Sequence, residues 1–474
     1  MYECLNGLAP AAFFHWFGRI AAIPHGSRKE QALAAFLKDF AKERNIPCQE
    51  DATGNLLMQL PAAPGYEDQP AILFQAHMDM IWEKAPGSDF DFETSPLNLK
   101  VEGDRLLAEG TTLGADNAVG MATMLALADD PSIPHPPLEL LFTVAEEVGM
   151  VGVRAFDVSK LKARRMINMD CGDSHVLCVC SAGKADSRLE ATFPLTPIPQ
   201  NFTGLRISLS GGLGGHPGLE ANKSRCCCAN AMGDLLTALP DFRLVSLMGS
   251  GPIMASAEAV AAVPQGAEDI LRQRFADIAR IYADTDPNVT LTLTPCPLPA
   301  EAPDGDASRR MALALSLVRT GQCRVDADDP RTTVSSNTLM RSELTGGDFL
   351  LTCRTRSTCA ADQQLHFERA VNTMALLGFD LKLTDDYAGW TERKVSPFRD
   401  KFFAIHKSLF GYDMDIERCS GGIEVGIITS QLPDMDTVGI APTARGAHTP
   451  QEYLQISETA PYWQLVLAVL AAKE

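Results

Sequence analysis

His77 and Asp79 stand two residues apart at the end of the run Ala71-Ile72-Leu73-Phe74-Gln75-Ala76-His77-Met78-Asp79-Met80. An imidazole and a carboxylate so placed can hold a metal ion or handle a proton. Alone the pair is a weak signal, since a satisfied core histidine beside a surface aspartate gives the same pattern. Other runs of similar character also end in acids. Glu146 and Glu147 close the apolar stretch 137–145, and Asp170 closes 165–170. Asp116 sits between glycines in segment 110–120, which feeds a run of small and apolar residues. A helix starting near Asn117 with Asp116 as its N-cap is the bland account of that aspartate. His448 follows Gly446 and Ala447 near the C-terminus.

Two imidazoles with several carboxylates make a nitrogen and oxygen donor set suited to zinc, with manganese or cobalt as alternatives. Carboxylates gathered without compensation repel one another and are costly to desolvate, a penalty that divalent ions remove. The elements must first bring these groups together. The unbroken apolar runs read as inner strands of a covered sheet. In open α/β sheets the C-terminal strand ends line one edge, where ligands bind. Adjacent acids in mid-strand face opposite sides, so only a turn at the terminus aims Glu146 and Glu147 at one place.

Around these runs the spacing predicts helices over 9–20 and 29–44, the second capped by Ser27, a ribbon over 101–107 and a strand over 176–180. The character changes over 188–387, where alternating strands mix with helices over 222–239 and 267–283. A hairpin over 334–356 turns at Gly346-Gly347. From 388 to 474 the earlier style returns. The order describes one α/β domain, 1–187 and 388–474, interrupted by an inserted α+β domain, 188–387. The glycine-rich stretch 210–218 lacks the spacing of a dinucleotide loop.

The formal net charge of −19 argues against nucleic acid or an anionic membrane as main partner. Thirteen cysteines, an odd number, form no repeated C-x-x-C pairs and indicate a reducing interior. No secretory leader and no apolar run of membrane length is read, so the expected location is cytoplasmic.

His77-x-Asp79, Gly114-Ala115-Asp116-Asn117, Glu146-Glu147, Asp170 and Gly446-Ala447-His448, in this order, resemble the co-catalytic zinc aminoacylase and carboxypeptidase superfamily. The segments 111–117, 214–218, 446–450 and 453–463 are similar to its aminoacyl-histidine dipeptidase branch, and the resemblance spans nearly the whole chain. It implies a zinc-peptidase-like catalytic domain with a mixed central sheet and an inserted lid that carries a homodimer contact. It also implies two divalent metal ions. His77 and Asp170 would hold one and Glu147 and His448 the other, with Asp116 bridging. Asp79 would orient His77 by accepting its other ring N–H, Glu146 would be the general base, and His216 would be the lid histidine that stabilises the oxyanion. Arg356 would hold a substrate carboxylate.

Two departures stand out. The branch's lid segment with an asparagine reads Met254-Ala255-Ser256-Ala257-Glu258-Ala259 here, and Cys419-Ser420 replaces a histidine before the glycine turn. The expected activity is hydrolysis of dipeptides or short peptides, with Xaa-His as a candidate class. Deacylation of N-acyl amino acids by the same groups is the alternative. A non-catalytic peptide-binding descendant is a third reading, weakened because every metal position and the base are present.

Overall fold

The computed structural model describes residues 2–216, 220–327 and 330–473. The chain forms two compact units. The first comprises Met1–Ser181, Thr391–Cys419 and Ile423–Glu474, and the second Ala182–Trp390 and Ser420–Gly422.

The first unit is built on a mixed sheet. Its strands run Cys48–Glu50, Leu56–Leu60, Leu138–Thr143, Ile72–His77, Arg165–Asn168, Asp436–Gly439, Val176–Ser181 and Asp415–Cys419 across the sheet. Ile72–His77 and Leu138–Thr143 are buried along their whole length, as their unbroken apolar character requires. They pair in parallel with His77 opposite Thr143, and Ile72–His77 pairs in parallel with Arg165–Asn168 on its other side. Three strands therefore end at one edge. In helix Ala115–Asp129 every residue from Ala115 to Leu127 except Asp116 is buried. Helix Ala11–Ala21 adds Phe13, Phe14, Phe17 and Ile20 to the same core. Each such side chain contributes roughly 1.5–3 kcal/mol on burial. A small sheet of Leu99–Glu102, Arg105–Ala108, Tyr453–Gln455 and Ala444–Arg445 flanks the turn that carries His448.

Two helix starts differ from expectation. The second helix begins at Gln31, because Arg28 adopts a left-handed φ of 67° and interrupts the turn after Ser27. Asp116 is not an N-cap. Asp116 and Asn117 are both non-helical, and it is Asn117 Oδ1 that accepts from Gly120 N at 3.1 Å. Asp116 is thereby left without a capping task.

The second unit carries an antiparallel sheet. In spatial order its strands are Thr290–Pro295, Thr203–Ser210, Ala257–Val263, Arg243–Ser250, Thr333–Thr345, Asp348–Ser357, Gly183–Thr192 and Leu381–Tyr387, with Gly321–Val325 paired to Thr333–Thr345. The expected hairpin turns at Gly346 and Gly347, whose φ values of 58° and 93° suit glycine. Helices Cys228–Thr237, Ala267–Ile281, Gly305–Leu317 and Ala360–Leu376 complete the unit. The helix expected over 222–239 is shorter because Ser224 takes a left-handed φ of 52° after the turn Ala221–Lys223. Pro217 and Gly218 of the glycine-rich motif lie outside the described residues. Among the described residues no helix is long and apolar enough to cross a membrane.

Candidate metal centre

His77 ends its strand with the ring fully enclosed. Its Nε2 lies 2.9 Å from Asp116 Oδ1 and 3.6 Å from Asp170 Oδ1. The other Asp116 oxygen, Oδ2, lies 3.3 Å from His448 Nε2, which is also 2.8 Å from Glu147 Oε1. Asp116 thus stands between the two imidazoles, one oxygen toward each. Donor atoms of His77, Asp116 and Asp170 lie within 4.8 Å of one another, as do those of Asp116, Glu147 and His448, and those of His77, Glu146 and Glu147.

The turns that aim these groups are held by buried acceptors. After strand Leu138–Thr143, Ala145 adopts a left-handed φ of 52°, a conformation costing an L-residue about 1–2 kcal/mol. The turn is fixed because Ala145 N donates to Glu30 Oε1 and Glu146 N to Asp79 Oδ1, both at 2.9 Å, while Glu147 N donates to Asp79 Oδ2 at 3.3 Å. This is the terminal turn needed to bring both glutamates to one place. Asp79 meets both the ring of His77 and this turn. The His77 Nδ1 contact at 2.9 Å goes to the Asp79 backbone carbonyl, with the carboxylate at 3.5 Å and engaged by the two glutamate amides. On the Asp116 side, Glu452 Oε2 accepts from Leu113 N at 2.8 Å and Gly114 N at 2.9 Å, and Oε1 accepts from Asp116 N at 3.3 Å. Gly114 has a left-handed φ of 66°, and a Cβ there would meet Met80 Sδ at 2.7 Å.

A second set of buried groups supports Asp170. Asp170 N donates to Asn168 Oδ1 at 3.1 Å, and Asn168 Nδ2 donates to Gln75 Oε1 at 2.6 Å. Gln75 Nε2 donates in turn to Glu424, which also accepts from Thr143 Oγ1 at 2.5 Å. Burial pushes the Glu424 carboxyl up to about 7. Sequence reasoning missed Glu30, Glu452 and the role of Glu424. An acid inside the apolar run Ile423-Glu424-Val425-Gly426-Ile427-Ile428 and one four residues past His448 were signals; Glu30 offered none.

The electrostatics call for added positive charge. Asp116 and Glu147 push the His448 imidazole up to about 10. Burial opposes the charged form of His77, yet Asp116, Asp170 and Asp79 hold it well above its ordinary value. Burial raises Asp170, with Asp116 adding to it, and burial raises Glu146, with Asp170, Glu424 and Glu147 adding to it against His77. Glu147 Oε1 is buried and has no aligned hydrogen-bond donor despite its 2.8 Å approach to His448. Close donor atoms, one of them buried without an aligned partner, under a field that retains protons are what a set of cation ligands presents, so these residues fit divalent ions.

His216 and Arg356 belong to the second unit. His216 is exposed, its backbone N–H donates to Glu220 Oε2 at 2.9 Å, and burial together with Arg356 and Arg354 lowers its imidazole. Arg356 is 9% exposed; Nη1 donates to Ser420 O at 3.2 Å, and Nε is buried without a partner.

A metal-dependent peptidase is the class that this sheet edge defines. The sequence profile of peptidase family M20/M25/M40 matches residues 73–472, and the chain belongs to that family. The cytosol non-specific dipeptidase of Escherichia coli K12 is 28% identical over 479 residues, covering 98% of each chain. The crystal structure of aminoacylhistidine dipeptidase from Vibrio alginolyticus superposes with a TM-score of 0.92 at 26% identity, covering 99% of this chain and 98% of that one. The aminopeptidase PepT of Bacillus cereus shares the fold, with a TM-score of 0.60 at 15% identity over 98% of each chain.

Proposed function

We propose that this chain hydrolyses the peptide bond of dipeptides and other short unblocked peptides, with Xaa-His among its substrates, using two divalent metal ions, zinc in the native protein. The observation that carries this reading is the placement of Asp116 between His77 and His448, one oxygen toward each, with Glu146 alongside. The Escherichia coli and Vibrio alginolyticus proteins, each covering at least 98% of both chains, are named dipeptidases, which supports the substrate class.

In this reading His77 and Asp170 hold one ion, Glu147 and His448 the other, and Asp116 is shared. Bound ions of this kind acidify water and polarise a carbonyl. Glu146 takes the proton from water as its oxygen bonds to the carbonyl carbon, then gives that proton to the amine nitrogen as the C–N bond breaks. His216 donates to the oxygen on which charge develops, and Arg356 pairs its unused Nε–H with the substrate's terminal carboxylate. The second unit serves as the lid and carries the contact of a homodimer, and the enzyme works in the cytoplasm. The test is a panel of dipeptides, Xaa-His included, run beside N-acetylated amino acids on the metal-loaded protein. Turnover of the dipeptides is expected; turnover confined to the acetylated compounds would replace this reading with deacylation.

A further inference from the structure

The second unit contains a cavity of about 240 Å³ whose walls include Val318, Arg319, Cys323, Asn337, His366 and Arg369. It does not extend the surface that Arg356 presents. Arg356 lies opposite Ser336 and Asn337 opposite Thr355 in the paired strands, so Asn337 projects from the other face of the sheet. One wall is a stripe of helix Ala360–Leu376, where His366, Arg369, Ala370 and Thr373 recur at helical spacing.

Arg319 lines the same cavity and lies just past the end of helix Gly305–Leu317. A cation there is ordinarily explained by the helix's last carbonyls. One of those carbonyls, that of Leu315, and the carbonyls of Val318 and Arg319 beyond the helix are served by neutral groups instead. Asn230 Nδ2 donates to Leu315 O at 2.7 Å and Val318 O at 2.6 Å, and Asn337 Nδ2 donates to Arg319 O at 2.7 Å. Asp362, the nearby acid, faces Arg324 at 3.3 Å and His366 at 3.7 Å. Among the described residues neither Arg319 nor Arg369 has an ion-pair partner. Their charge is felt inside the cavity: burial, then Arg369, Arg319 and Arg324, hold the His366 imidazole down against Asp362.

In a chain of net charge −19, two unbalanced guanidiniums lining one cavity are an exception that asks for a counter-charge. Guanidinium forks match paired oxygens on phosphorus or carbon. We propose that this cavity binds a small oxyanion, a phosphate or a carboxylate group, between Arg319 and Arg369. The proposal is independent of the peptidase reading.

Calorimetric titration of the full, metal-loaded chain with inorganic phosphate, and separately with acetate, at an ionic strength fixed with chloride, tests it. Saturable binding is expected that R319Q/R369Q weakens at least tenfold, with peptide hydrolysis unchanged. Tighter phosphate than acetate identifies a phosphate-type ligand, and the reverse a carboxylate-type one. Anion binding at the metals would be common to both chains, so identical isotherms for wild type and variant overturn the proposal, as does the absence of saturable binding. Both arginines are exposed, so the variant is expected to fold; R369K, which keeps the charge and loses the fork, provides a second reading of the same site and should weaken binding.

Discussion

The sheet edge at His77 and the cavity at Arg319 are unbalanced in opposite senses. At the first, Asp116, Glu146, Glu147 and Asp170 outnumber two imidazoles; at the second, two guanidiniums have no ion-pair partner among the described residues. They also differ in how they are supported. The acidic turns rest on buried acceptors, with Glu30, Asp79 and Glu452 holding backbone amides from below. The basic cavity presents long, exposed side chains, and the backbone beneath Arg319 is held through its carbonyls by the neutral amides of Asn230 and Asn337. On the two proposals, the difference follows from what each site would hold. Ligands that share ions at fixed short distances need prior orientation, whereas a loosely held anion can be met by mobile forks.

Substitutions can break or sharpen this contrast. The largest effect is expected at the base: Glu146→Gln should retain metal and lose ~10²–10⁴-fold in kcat, and unchanged turnover would remove Glu146 from the reaction. His216→Ala should lower kcat by about 10²-fold or more, the cost of an oxyanion donor, with a smaller rise in KM; steady-state kinetics showing the opposite split would make it a binding residue. Glu452→Ala removes none of the proposed ligand side chains, yet it leaves three amides of the Asp116 loop unpaired, that of Asp116 among them. Metal affinity, read by chelator competition, should weaken about 10–100-fold, and unaltered affinity would show that the scaffold is dispensable.

A pH experiment isolates the charge deficit. In the ion-free chain the folded His448 stands at about 10, above the ordinary value of about 6.5 for an unfolded chain. Its stabilisation is therefore complete below about pH 6.5 and lost as pH rises toward about 10. Tm of chelator-treated protein should fall across that interval more than Tm of metal-loaded protein; equal falls would contradict the assignment. The smallest effect belongs to the basic cavity, where R319Q/R369Q should change stability by no more than about 0.5 kcal/mol in denaturant titration.

Much of the sheet edge was legible because its strands are continuous apolar runs. Ile72–His77 and Leu138–Thr143 are buried throughout, so the polar residues at their ends had to lie at a sheet edge. Local conformation was less legible. The cap on the helix of Ala115–Asp129 moved from Asp116 to Asn117, since either side chain can accept from an amide and only the tertiary setting chooses. Least legible were the acceptors beneath the turns. Glu30 reaches an amide 115 residues away and Glu452 one 339 residues away, distances over which no periodicity connects them. Asp79 was singled out for its ring partner, and that its carboxylate also takes the amides of Glu146 and Glu147 was not legible.

The shared position of Asp116 is most directly tested by metal analysis of dialysed protein by mass spectrometry. The wild-type chain should retain two divalent ions, His448→Ala and Asp170→Asn one each, and Asp116→Asn neither. A wild-type chain that holds a single ion, or an Asp116→Asn variant that still holds two, would contradict a centre built around that aspartate.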